Sequence, residues 1–177
     1  MPLGHVSLPA GPGNYKAMRA FYVTTLSPLG YKVFEEKDCL FLGLMHTHMN
    51  PDFWLHCGGQ DLATTDTSLT ADENRKVLGA RTHVAFNVGS KKIVDEWFQN
   101  AVKAGGIPNG EPGERPEYVK GYYAAFVLDP LGNNIEVVSF NPWWLKAMKA
   151  VPSVLTMLTG AVAAEVAMGY AKRAGWV

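Results

Sequence analysis

Polar and apolar residues alternate through GHVSLPA (4–10), a period of two that puts every second side chain on one face of a strand. The period then changes. After the break at GPG (11–13), Tyr15, Met18, Phe21, Tyr22 and Leu26 recur at helical spacing, which predicts a helix capped by Asn14 and ended by PLG (28–30). Two strand-like runs, YKVFEE (31–36) and CLFLGL (39–44), flank a Lys37-Asp38 turn. A short apolar run, FWLHC (53–57), follows a polar stretch containing Asn50 and Pro51. The order reads β-α-β-β-β.

Residues 58–80 are mostly small and polar and read as a connection, after which the order restarts. THVAFNV (82–88) is strand-like, and Ser90 can cap a helix with Ile93, Trp97, Ala101 and Ala104 on one face. That helix stops at Gly105-Gly106, and a loop rich in Gly, Pro and Glu is expected over 108–121. YYAAFVL (122–128), the turn DPLGNN (129–134) and IEVVSF (135–140) complete a hairpin. HVSL (5–8) and HVAF (83–86) lie 78 residues apart, and Gly30 and Gly106 lie 76 apart. Such constant offsets are the mark of a duplicated supersecondary unit. The fold class expected is α+β, with modules over about 3–57 and 81–140 and one domain spanning 1–140.

Beyond 140 the pattern ends. NPWWLKAMKA (141–150) predicts a short helix, and SVLTMLTGAVAAEVAMGY (153–170) a second one after Pro152, so a helical extension is expected over 141–177. Glu165 and the many small residues argue for packing on a protein surface rather than a membrane span. Sixteen basic and sixteen acidic residues cancel, which leaves no electrostatic basis for a nucleic-acid partner. The N-terminus lacks the basic and apolar stretches of a secretory signal, and Cys39 and Cys57 are expected as free thiols. The expectation is a cytoplasmic protein.

The faces of the strands carry the chemistry. His5 and Ser7 share one face of the first strand, and His83, Ala85 and Asn87 the corresponding face of its repeat. In the last strand Glu136 shares a face with Asn134 and Val138, amid apolar neighbours where a carboxylate is costly unless paired or bound to a cation. Singly, each has an ordinary structural role, a hydrogen-bonded histidine or a carboxylate on a solvated face. The repeat groups them. Two imidazoles and a carboxylate suit a divalent Fe, Mn, Zn, Ni or Co ion with open positions.

The stretches GHVSL (4–8), AFY (20–22), LGY (29–31), PDFWL (51–55), THVAF (82–86) and GYYAAFVLDPLGNNIE (121–136) resemble the glyoxalase/bleomycin-resistance/dioxygenase group, the vicinal oxygen chelate superfamily. The resemblance covers about 3–140, and its most specific part is the closing DPxGNxIE. It implies paired βαβββ modules forming a curved, partly open mixed sheet with helices outside, in a homodimer whose site can draw residues from both chains. It also implies His5, His83 and Glu136 as metal ligands. One position departs from the pattern: where glyoxalase I enzymes place a Glu or Gln on the last strand of the first module, FWLHC has neither. Gln60 falls past the strand, and the place goes to His56 or, with a two-residue shift, to Trp54.

The function expected is that of a metal-dependent enzyme acting on a small substrate that chelates the metal through neighbouring oxygens. Both a glyoxalase-like lyase or isomerase and an extradiol-type dioxygenase fit, with Glu136 as ligand and proton acceptor. Trp54, His56 and Tyr123 are the expected substrate-binding residues, and Tyr122 or Tyr123 a donor beside the metal. The alternative is a non-catalytic small-molecule binding or resistance protein of the same fold.

Overall fold

The computed structural model describes residues 4–37, 40–46, 50–58, 68–70, 73, 82–140 and 168. Cys39, Gln60, most of the expected connection and, apart from Met168, the extension expected over 141–177 lie outside the described residues.

The first module runs β1 (Val6–Ala10), α1 (Pro12–Leu26), a 3-10 turn at Ser27–Leu29, β2 (Lys32–Lys37), β3 (Phe41–Met45) and β4 (Phe53–Cys57). The second runs β5 (His83–Asn87), α2 (Lys91–Lys103), β6 (Ile107–Glu114), β7 (Tyr122–Leu128) and β8 (Asn134–Phe140). Each makes a four-stranded mixed sheet of the same topology, β1-β4-β3-β2 and β5-β8-β7-β6, with its first and last strands parallel. The architecture is α+β and duplicated.

Three local expectations change. The first helix begins at Pro12, not after Asn14: Gly11 is extended at the N-cap, and Pro12, with φ already fixed, starts the helix without losing a needed N–H. The segment expected as a loop over 108–121 opens with strand β6 instead. Its Pro and Gly are tolerated because, among the described residues, β6 pairs only with β7, at the sheet edge, with register shifts on both sides of Gly110. The glycine matching Gly30 is Gly105, since both sit at φ +95° where the chain leaves its helix. Gly106 has a different reason. A Cβ there would meet Val127 Cγ1 at 2.3 Å and Phe21 Cε2 at 2.9 Å.

The helices bury apolar stripes. On α1 these are Tyr15, Met18, Phe21, Tyr22 and Leu26, as the spacing predicts; on α2 they are Val94, Trp97, Phe98 and Ala101, turned by one position from the expected face. Each fully buried ring or leucine contributes roughly 1.5–3 kcal/mol. The modules share this core: Phe86 of β5 packs against Phe53 of β4 at 5.7 Å and edge-on to Tyr31 at 5.6 Å. A buried hydrogen bond joins them too, Tyr22 Oη donating to Asp129 Oδ2 at 2.7 Å. Burial raises the pKa of both groups, and for Tyr22 the Asp129 charge adds to it. Among the described residues no helix is long and apolar enough to cross a membrane.

Candidate functional site

The turn between β7 and β8 decides where Glu136 points. Asp129 Oδ1 accepts from the backbone N–H of Leu131 and Asn133, both at 2.9 Å, and Gly132 takes φ +79°. Leu128 is thereby set opposite Asn134, and Phe126 opposite Glu136. On its other side β8 places Glu136 beside Ala85 of β5 and Asn134 beside His83. The carboxylate and the imidazole therefore share one face.

Glu136 is 3% exposed, and both its oxygens are held. Tyr122 Oη donates to Oε1 at 2.7 Å, and His83 Nε2 lies 3.0 Å from Oε2. Burial first, then the Glu136 hydrogen bond and charge, push the Tyr122 hydroxyl well above its ordinary pKa, so it stays a donor. The imidazole is fixed from behind: Asn134 Nδ2 lies 3.0 Å from His83 Nδ1, and Asn109 Nδ2 donates to Asn134 Oδ1 at 3.1 Å. An amide nitrogen only donates, so Nδ1 accepts and the ring proton sits on Nε2, directed at Glu136. His83 itself is open, with 49% of its side chain exposed. Phe126 lies 6.2 Å from the His83 ring, and the Arg115 guanidinium sits over Phe126 at 5.5 Å. The result is a buried carboxylate behind an accessible imidazole, rimmed by an aromatic ring and a cation.

The first module presents a different face. Gly4, His5, Ser7, Asn50, Pro51, Trp54 and His56 line a cavity of about 450 Å³. Ser7 Oγ and His56 Nδ1 are hydrogen-bonded at 2.7 Å. Trp54 lies over Gly43, where a Cβ would come within 3.0 Å of the indole, and Phe41 meets it edge-on at 5.8 Å. Register shows which residue of the first module matches Glu136 of the second. Ser7 pairs with Trp54 as Ala85 pairs with Glu136, so Trp54 occupies the carboxylate's place and His56, opposite Pro9, the place of Val138.

The sequence-predicted residues thus divide. His83 and Glu136 come together; His5, Trp54 and His56 line the cavity of the first module. Among the described residues no group of three His, Cys, Asp or Glu is close enough to hold a metal. Tyr123 points the other way, donating to Asp95 of α2 at 2.7 Å with Lys91 over its ring, so Tyr122 is the tyrosine of the carboxylate face. Asn109 escaped notice in the sequence because β6 reads as loop; it sits at the register shift between Pro108 and Gly110, and its side chain reaches Asn134. Phe126 and Arg115 carry no motif that marks them.

A family model for the Glyoxalase/Bleomycin resistance protein/Dioxygenase superfamily matches residues 3–137. The chain belongs to this superfamily. None of the curated proteins compared matches the sequence. Among solved structures, a glyoxalase/bleomycin resistance protein from Albidiferax ferrireducens T118 is 20% identical, with TM-score 0.53 over 77% of this chain and 97% of that one. A glyoxalase/bleomycin resistance protein/dioxygenase family enzyme from Burkholderia phytofirmans PsJN is 20% identical, with TM-score 0.54 over 80% and 100%. A putative glyoxalase from Bacillus halodurans is 22% identical, with TM-score 0.51 over 78% and 95%. These likenesses establish the glyoxalase fold. For a superfamily metal, the second-module pair supplies apt donor types, one imidazole and one carboxylate on the same face; Tyr122 supports the carboxylate from behind, whereas His83 Nδ1 accepts from Asn134 where a ligand histidine ordinarily donates.

Proposed function

We propose that the protein is a metal-dependent enzyme acting on a small substrate with neighbouring oxygens, working as a cytoplasmic homodimer. His83 and Glu136 would hold a divalent Fe, Mn, Zn, Ni or Co ion, and His5 of a second copy would complete the set. The carrying observation is the Glu136 carboxylate, buried in an apolar strand yet facing an exposed histidine across 3.0 Å. A buried carboxylate is costly unless paired and hydrogen-bonded, and one held this way beside an accessible imidazole suits a ligand or a base.

When bound, such an ion supplies a Lewis acid that polarises a substrate oxygen. The chain's own residues do the rest. Glu136 accepts a proton from the substrate carbon or oxygen presented to it, and Tyr122 keeps Oε1 occupied so that Oε2 faces the site. Phe126 offers a flat surface and Arg115 a cation, which suits a planar or acidic substrate. Lyase, isomerase and ring-opening dioxygenase chemistry share this arrangement.

A second reading rests on the cavity of about 450 Å³ whose wall includes Trp54. An indole backed by Gly43 and edged by Phe41 suits a flat apolar molecule held without turnover, as in a resistance protein. Elemental analysis of protein purified without chelator or metal-affinity tag separates the two. The enzyme reading expects close to one metal ion per chain, reduced to background in His83→Ala. Negligible metal, or unchanged content in that variant, sinks it.

A further inference from the structure

Five side chains form one hydrogen-bonded line: Asn109, Asn134, His83, Glu136 and Tyr122. Its direction is consistent throughout. Asn109 donates to Asn134, Asn134 to His83 Nδ1, and His83 Nε2–H to Glu136, which also accepts from Tyr122. In this direction the lone pair of His83 is turned away from the open face, and an N–H occupies the atom nearest Glu136. A cation at Nε2 needs the opposite arrangement, a ring proton on Nδ1 and a bare Nε2. That requires an acceptor behind Nδ1. Asn134 becomes one only by turning its amide over, which aims its Nδ2 at Asn109 and requires that amide to turn as well.

We propose that Asn109 and Asn134 are positioning residues that act as a two-position amide relay. In one setting His83 is closed onto Glu136; in the other it presents a lone pair for a cation. The proton balance is even. The ring loses its proton at Nε2 and gains one at Nδ1 through solvent, and the cation takes the place of the lost Nε2 proton toward Glu136 Oε2. Asn109, exposed on an edge strand and in hydrogen-bond contact with neither His83 nor Glu136, thereby sets the state of the imidazole through Asn134. This proposal rests on the reading of His83 as a metal ligand, but its first consequence is visible in the metal-free protein.

The test is long-range nitrogen–proton NMR of His83 in the metal-free full chain, which reports whether Nδ1 carries a proton. In the wild type Nδ1 is expected bare. In Asn109→Asp the new carboxylate only accepts, so the Asn134 amide turns over and Nδ1 becomes protonated. In the double variant Asn109→Asp with Asn134→Leu the amide is gone and that protonation should disappear; if it persists, a through-space charge effect replaces the relay. An unchanged bare Nδ1 in Asn109→Asp overturns the proposal outright. Titration with Zn²⁺ gives the second readout: Asn109→Asp, already set for a cation, should bind roughly tenfold more tightly, the scale of effects from groups supporting a ligand. The Nδ1 change without any Zn²⁺ binding would uphold the relay and remove the metal reading. Zn²⁺ bound equally by wild type and Asn109→Asp, with no Nδ1 change, would do the reverse.

Discussion

The two sheets carry one topology and two chemistries. At the register position where the second module places Glu136, the first places Trp54; where the second has a Tyr122 donor and an Asn134 behind its histidine, the first has an open cavity and a Ser7–His56 contact. A duplicated frame therefore fixes positions without fixing what fills them. The carboxylate brought a supporting set with it, because a buried anion needs donors around it. The indole needed only room, which Gly43 provides by lacking a side chain. Site chemistry follows the partners each residue requires, not its place in the fold alone.

The sharpest way to break this contrast is to remove the two equivalent residues. Glu136→Ala should abolish bound metal and catalysis together, while Trp54→Ala should keep the metal and weaken capture of small apolar molecules. Elemental analysis beside a ligand-binding titration reads both, and equal loss of metal in the two variants would erase the distinction between the faces. Next come the two glycines once aligned by spacing. Gly106→Ala drives a Cβ into Val127 and Phe21 and should cost about 3 kcal/mol, as overpacking of a shared core does. Gly30→Ala imposes a left-handed conformation on an alanine and should cost about 1 kcal/mol. Denaturant unfolding ranks the pair; the reverse order would mean that the modules are not clamped at Gly106. The last pair sharpens rather than breaks the contrast. Tyr122→Phe removes a donor from a buried carboxylate and should destabilise by about 2 kcal/mol, while Ser7→Ala at its exposed site should stay within about 0.5 kcal/mol.

Much of this was legible in the chain because periodicity survives duplication. Alternating or apolar runs bounded by turn residues marked every strand but β6, and the helical spacing marked the buried face of α1 nearly residue by residue. What escaped was set by neighbours. An edge strand pairs on one side only, so β6 tolerates the Pro and Gly that made it read as a loop, and Asn109 was hidden with it. Gly105 and Gly106 are adjacent letters, and only φ and the crowding behind Val127 tell their reasons apart. His5 and His83 occupy equivalent letters of the repeat, yet equivalence in a duplicated unit is not proximity. Whether Trp54 or His56 matches Glu136 needed the β1–β4 register, which no spacing count supplies.

The Tyr22–Asp129 hydrogen bond has a consequence for how the protein holds together in time. Asp129 is at once the organiser of the β7–β8 turn and the acceptor for a helix of the other module. Pulling the modules apart would strand a buried phenol and a buried carboxylate and loosen the turn that aims Glu136. The halves of this duplicated domain are thus joined into a single cooperative unit, and any opening large enough to separate them also scrambles the alignment of the carboxylate. Amide exchange in β8 should consequently track global unfolding rather than a local breathing motion.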